Sequence, residues 1–374
     1  MIFGPFDLSG RPRDGGGLPI LAHSVRTAEL RMAKGTRLDG EAIARLREAG
    51  LTRVEAAVPE PGDIDEDEAA RLCAEPLLVV GAALGHDRAT TGRVNLRAGA
   101  DGLFRADARV VDALNAIDDR LTVATLPDGT RVRSGELVAT VKVIPFHVPR
   151  AGVERWRMVA SDAAAAGRGI ALEVRPWLAM AVLHVATVLP GTRTSVLDKT
   201  RRALAGRIGG TRGELRDERR VPHERAALAQ GLREAMSGGP ESAPRLIVIF
   251  GASAITDARD VVPEAIRMAG GTVERVGMPV DPGNLLVLGR LGDAVVIGAP
   301  GCARSPVHNG FDLVLDRVLA GIGIGADEIG RWGVGGLLKE IKTRPRPREG
   351  EAPLDAPADG AKEEAKGEGT GEGG

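Results

Sequence analysis

Three short stretches of this 374-residue chain carry side chains at spacings suited to phosphate and metal chemistry. In residues 251–260, Gly251 and Ser253 precede two acids three positions apart, Asp257 and Asp260, with Arg259 between them. Carboxylates so placed can hold Mg²⁺ beside a phosphate, and the metal would offset charge in phosphoryl transfer. The same residues also read as a helix cap, Asp260, paired with Arg259. In residues 191–199, Gly191, Thr192, Thr194 and Ser195 are followed by Asp198 and Lys199. Hydroxyls and N–H groups at a helix start can receive an anion, and Lys199 adds a full charge. An ordinary N-cap at Thr194 or Ser195 is the competing reading. The third stretch joins Pro282, Gly283 and Asn284 to residues 298–306, with Gly301, Arg304 and Ser305. Glycine lets a backbone come close to a ligand, and Arg304 and Ser305 suit an oxyanion. Cys302 offers a soft ligand or simple packing, and His308 a cap, a ligand contact or a surface role.

These stretches need elements that bring them to one place. Residues 246–250 (LIVIF) and 294–297 (AVVI) are unbroken apolar runs, each emptying into a small-residue loop and then a helix. Such runs predict buried parallel strands, whose carboxyl ends are where ligands of open α/β sheets sit. A further strand is predicted over 179–189. Leu197, Leu204 and Ile208 share one helical face, residues 214–221 form a polar edge strand, and Leu228, Leu232 and Met236 mark another helix. Strand–helix alternation predicts a three-layer α/β/α domain on a mostly parallel sheet.

Residues 253–265, SAITDARDVVPEA, resemble the strand-end loop of the molybdopterin-binding family, written roughly GGTGxxxRDxTPEA in its adenylyltransferase branch. Residues 277–306, GMPVDPGNLLVLGRLGDAVVIGAPGCARSP, resemble the PGKP…GLPGNP region of the molybdotransferase branch. The likeness extends over roughly residues 1–341, most specifically 180–341. It is to the front part of bacterial molybdopterin-binding and nucleotidyltransferase fusion proteins. It implies molybdopterin as ligand, a place in molybdenum-cofactor biosynthesis, and either adenylyl transfer from Mg-ATP or molybdate insertion. For adenylyl transfer, Asp260 matches the metal-linked aspartate of the motif, with Asp257 beside it and Arg259, Arg304 and Lys199 as charge stabilisers. Ala252 stands where the family has its second loop glycine, and Asn284 where the molybdotransferases have lysine. With no nucleotidyltransferase domain following, these departures favour an alternative. In it the chain is a non-catalytic module that hands the cofactor to a separate cytidylyltransferase or maturation protein. The resemblance also implies a homo-oligomer.

The front half reads as a smaller mixed α/β module over 1–150, joined by a helix over 153–166 within a 151–178 linker to the main domain at 179–341. Residues 20–25 read as one short strand, Asp39 as a helix cap with Gly50 at the helix end, and 77–85 as either strand or helix. Residues 342–374 are Pro-, Glu-, Lys- and Gly-rich, which predicts a disordered tail. With 50 basic and 51 acidic side chains there is no basic excess for nucleic acid, and aromatics at 2% leave few stacking platforms. Two cysteines cannot make a disulfide framework. No apolar run reaches membrane-spanning length and no signal peptide is evident, so a cytoplasmic protein is expected. P-loop, HExxH, paired CxxC and GxSxG motifs are absent.

Overall fold

The computed structural model describes residues 1–9, 17–165, 171–237 and 245–338; the tail expected at 342–374 lies outside the described residues. Residues 1–338 cluster as one unit. Its rear part is built on a six-stranded sheet. In chain order the elements are β1 (Met180–Val188), α1 (Thr194–Ile208), β2 (Gly213–Pro222), α2 (Arg225–Met236), β3 (Arg245–Phe250), α3 (Val261–Met268), β4 (Thr272–Val276), β5 (Val287–Leu291), β6 (Ala294–Ala299) and α4 (Gly310–Leu319).

The spatial order is β2-β1-β3-β6-β5-β4. The first four strands are parallel; β5 runs against β6, and β4 against β5. Every residue of β3 is buried, as the apolar run required. Leu246, Val248 and Phe250 join Leu204, Phe311 and Leu315 of α1 and α4, while Ile247 and Ile249 join Leu228 and Ile266 of α2 and α3. One strand thus feeds both helical layers, and each such side chain contributes roughly 1.5–3 kcal/mol by leaving water. β2 is an edge strand, as expected, and is bulged against β1 between Val182 and His184. The extra residue turns Glu218 onto the same face as His184.

The front part is a set of small antiparallel sheets. Leu8, Leu21, Leu38, Leu46 and Val54 form one core beneath the helix Gly40–Glu48, which Asp39 caps on the Ala42 N–H at 2.8 Å. A larger core gathers Phe104, Leu114 and Trp156. Trp156 lies in the helix Arg150–Ala165 and donates to the Cys73 carbonyl at 3.0 Å. The strand Leu172–Pro176 then returns to pair with Gly102–Ala106. Residues 20–25 make two short strands, Ile20–Leu21 and Val25–Arg26, because Leu21 pairs with Ala56 whereas Val25 turns away to pair with Met32. Residues 77–85 are neither one helix nor one strand: Leu77 ends the short 3-10 helix Glu75–Leu77. A turn with Gly81 at φ 90° and Ala83 at φ 47° leaves Val80 exposed before the strand Leu84–His86.

The turn and strand over Asp128–Arg131, whose strand pairs with Gly102–Ala106, are tied to α4. Arg131 Nε donates to Asp316 Oδ2 at 2.8 Å, and Arg317 Nη2 to Asp128 Oδ2 at 2.9 Å. Beside it, between this turn, α1 and α4, lies a cavity of about 700 Å³ lined by Arg131, Arg202, Arg207, His308, Asp312 and Asp316 among others. Among the described residues no helix is long and apolar enough to cross a membrane.

Candidate functional site

Parallel pairing sends the chain out of β1, β3 and β6 on the same rim, so the three stretches singled out in the sequence share one edge of the sheet. The 277–286 loop joins them, because Val287 at the start of β5 sits opposite Gly298 near the end of β6.

Arg304 is the residue that stitches this rim together. Its Nη1 donates to Thr200 Oγ1 of α1 and its Nη2 to the Gly251 carbonyl, both at 2.8 Å. Its guanidinium lies over the Phe250 ring, 5.6 Å from the centroid. Both hydrogen-bond acceptors are neutral, and among the described residues no carboxylate pairs with it. Burial alone drives its pKa below the usual arginine value. A half-buried cation without a counter-charge is costly, and an incoming anion would offset that cost. Arg207, deeper on α1, holds the same loop. It donates to Asp312 Oδ1 at 2.7 Å, to the Ala303 carbonyl at 3.0 Å and to the Ser305 carbonyl at 2.7 Å.

The helix starts on the rim differ in how they are capped. α4 is closed by a reciprocal box, Asn309 with Asp312. α3 is closed by Asp260, whose oxygens accept from Val261 N at 2.7 Å and Thr256 N at 3.1 Å. α1 is open: Arg193, not Thr194 or Ser195, occupies the cap position, and among the described residues no side chain caps its first N–H groups. Thr192 is spent elsewhere, its hydroxyl closing the turn on Leu189 N and O at 2.9 and 2.8 Å. Gly191 takes φ 82° in that turn. Thr194, Ser195 and Lys199 are exposed at the start of this open helix.

Asp257 accepts from the Arg259 backbone N–H at 2.7 Å and from its guanidinium at 3.1 Å. The backbone contact first, then the guanidinium, holds Asp257 below the usual carboxylate range. So the cap reading of Asp260 describes its bonds, while Arg259 pairs with Asp257 instead. A divalent ion at Asp260 would compete with two backbone donors, and no group of three or more potential metal-ligating side chains occurs among the described residues. No bond joins Asp257 or Asp260 to Lys199 or Arg304 among the described residues. Removing the cap by Asp260→Ala is expected to lower stability by about 1 kcal/mol, read from the urea midpoint; an unchanged midpoint would mean that the cap is dispensable.

Pro282 and Gly283 are buried against α4 rather than open to a guest. The Pro282 carbonyl accepts from Gly310 N at 2.7 Å, and a Cβ at Gly283 would meet Gly310 Cα at 2.8 Å. The close approach that this glycine permits is therefore backbone to backbone. Asn284, Gly301 and Ser253 are exposed. Ser305 is half-buried, its carbonyl taken by Arg207. Burial raises the Cys302 thiol pKa, which suits packing.

Sequence reasoning missed five residues. Thr200 and Arg207 of α1 hold the third loop, and Thr187 and His223 hold the second. His184 is 1% exposed, both ring nitrogens lack partners, and its ring meets Phe250 edge-on at 5.3 Å. Burial pushes its pKa down to about 4; Glu218 acts against that, while Arg201, Arg220 and Arg304 add to it. The one available signal was a histidine inside the apolar run MAVLHVATV.

No protein-family model and no curated protein matches the chain. Among solved structures it is similar to the molybdopterin biosynthesis MoeA protein from Pyrococcus horikosii, with 14% identity and a TM-score of 0.27 over 85% of this chain and 75% of that one. It is also similar to NadC from Streptococcus pyogenes, with 13% identity and a TM-score of 0.15 over 55% of this chain and 80% of that one.

Proposed function

We propose that this chain binds a phosphorylated pterin of the molybdopterin type at the carboxyl rim of its main sheet, in the service of molybdenum-cofactor biosynthesis. The observation that carries this reading is Arg304, a half-buried guanidinium held, among the described residues, by neutral oxygens alone where three strand-end loops meet. The phosphate pairs with Arg304 and with the open start of α1, where Gly191, Thr192, Thr194, Ser195 and Lys199 are gathered. Gly251, Ser253, Asn284, Gly301 and Ser305 flank it on the other loops. The motif likeness in 253–265 and 277–306 supplies the pterin; the geometry supplies a place for an anion.

Two readings of activity follow. As an adenylyltransferase the chain would use Asp257 and Asp260 with Mg²⁺ and ATP, and the molybdotransferase reading shares the same rim. The hand-over module is favoured by one observation: both Asp260 oxygens are already engaged by backbone, one by Val261 N at the start of α3 and the other by Thr256 N in the loop before it.

The test is fluorescence titration of molybdopterin into the pure chain. Arg304→Gln is expected to weaken binding roughly tenfold to a hundredfold, the loss of a charge-assisted contact. Equal affinity in the two proteins would end the proposal. Added Mg-ATP separates the readings: pyrophosphate release abolished by Asp260→Asn marks the transferase, and tight binding without release marks the module.

A further inference from the structure

Gly251 and Ala252 form the corner where β3 leaves the sheet, and this corner is held from two sides. From one side Arg304 takes the Gly251 carbonyl at 2.8 Å. From the other, Thr187 of β1 receives the Ala252 N–H on its hydroxyl oxygen at 2.7 Å. The same hydroxyl lies 2.8 Å from His223 Nδ1. Thr187 is 1% exposed, and these are its two side-chain bonds.

Ala252 donates into one lone pair of Thr187 Oγ1, and among the described residues His223 Nδ1 is the one side-chain acceptor within reach of the buried hydroxyl hydrogen, so the arrangement that leaves no buried hydrogen unpaired has Thr187 donating to His223 Nδ1. A neutral imidazole that accepts at Nδ1 carries its proton on Nε2. His223 is half-buried, its backbone N–H bonds the Val188 carbonyl at 2.9 Å, and its Cε1 would lie 3.9 Å from a Cβ on Gly251. Its ring therefore stands on the rim between the first and second loops, adjoining the residue that Arg304 grips.

We infer that His223 is a further ligand-binding residue, its Nε2–H donating to an oxygen of the same phosphate monoester that pairs with Arg304. This rests on the rim as the anion site, the reading given above. Thr187 is then a positioning residue, which fixes which ring nitrogen carries the proton and holds the Ala252 corner in register with it.

Two measurements on the full chain test it. Nitrogen-15 NMR of the histidine rings is expected to show His223 protonated at Nε2, with loss of that preference in Thr187→Val; a free protein with the proton on Nδ1 would overturn the inference. In calorimetric titration with inorganic pyrophosphate, His223→Leu is expected to weaken binding about tenfold, for one lost charge-assisted bond. His223→Gln, which keeps a donor at similar reach, recovers part of it. Wild-type affinity in His223→Leu, with loss confined to Arg304→Gln, overturns the role of His223 and leaves the rim site standing. No pyrophosphate binding by the wild-type chain removes both.

Discussion

Arg207→Met is expected to cost roughly 3–5 kcal/mol of folding stability, the penalty of leaving a buried charge unpaired. Arg207 is 6% exposed, and its carboxylate partner Asp312 is buried beside it. The guanidinium also lies 5.6 Å from the Phe311 ring centroid and satisfies the carbonyls of Ala303 and Ser305. Methionine fills much of the volume but supplies none of those donors. Lysine would not substitute, because one ammonium cannot reproduce a planar fork reaching acceptors on both α4 and the loop. A domain stable by only about 5–15 kcal/mol would lose a large share of that margin. Urea denaturation reads the loss directly. The double variant Arg207→Met with Asp312→Leu is expected to regain part of it, since a buried pair replaced by apolar groups is often tolerated. A single-variant loss below about 1 kcal/mol, the range of an exposed pair, would sink the argument. The loop held by Arg207 also carries Arg304, so under the proposed function phosphate affinity should fall even where the variant remains folded.

Acid is expected to weaken the fold through His184. Its folded pKa is about 4, against an ordinary 6.5. Between those values the unfolded chain binds a proton that the folded chain refuses. Stability is therefore fully present above pH 6.5 and drains away as the pH falls toward 4. The shift corresponds to about 3 kcal/mol. Burial is the main cause, and the nearby arginines Arg201, Arg220 and Arg304 add repulsion. Other groups titrate in the acid range as well, so the comparison must be with His184→Leu. Unfolding free energies at pH 7 and pH 4.5 are expected to differ less in that variant than in the wild type by most of the same amount. Parallel pH dependences in the two proteins would remove His184 from the account.

The parts of this molecule that depend on local pattern were legible. The run at 246–250 is long and apolar enough that burial on both faces was its only outcome, and its neighbour at 294–297 followed the same logic. The rim followed from those strands being parallel. Asp39 as a cap was readable because a cap acts within three residues. What was not readable depends on distant partners. Arg207 and Asp312 lie 105 residues apart, and nothing in either neighbourhood announces the other. Thr194 and Ser195 looked like caps by type, yet the turn closed by Thr192 puts Arg193 in that place. Gly283 looked like a ligand-facing glycine, but the start of α4 needs that space. In the front part, strands of two or three residues are too short to show a period, so one apparent strand at 20–25 proved to be two.

Of the two edge strands of the main sheet, β2 carries acid–base pairs along its length: Glu214 with Arg216 at 2.9 Å, Glu218 with Arg220 at 2.7 Å, and Arg219 with Glu234 of α2 at 2.6 Å. An unpaired strand margin is a template on which another chain can crystallise its own backbone. Here the bulge between Leu215 and Glu218 and the exposed charges of Glu214, Arg216 and Arg219 spoil that template. Two copies brought together would have to strip water from several ions to knit their sheets into one. Assembly of this protein through the β2 border is therefore disfavoured, and its solutions should resist fibrous precipitation seeded there.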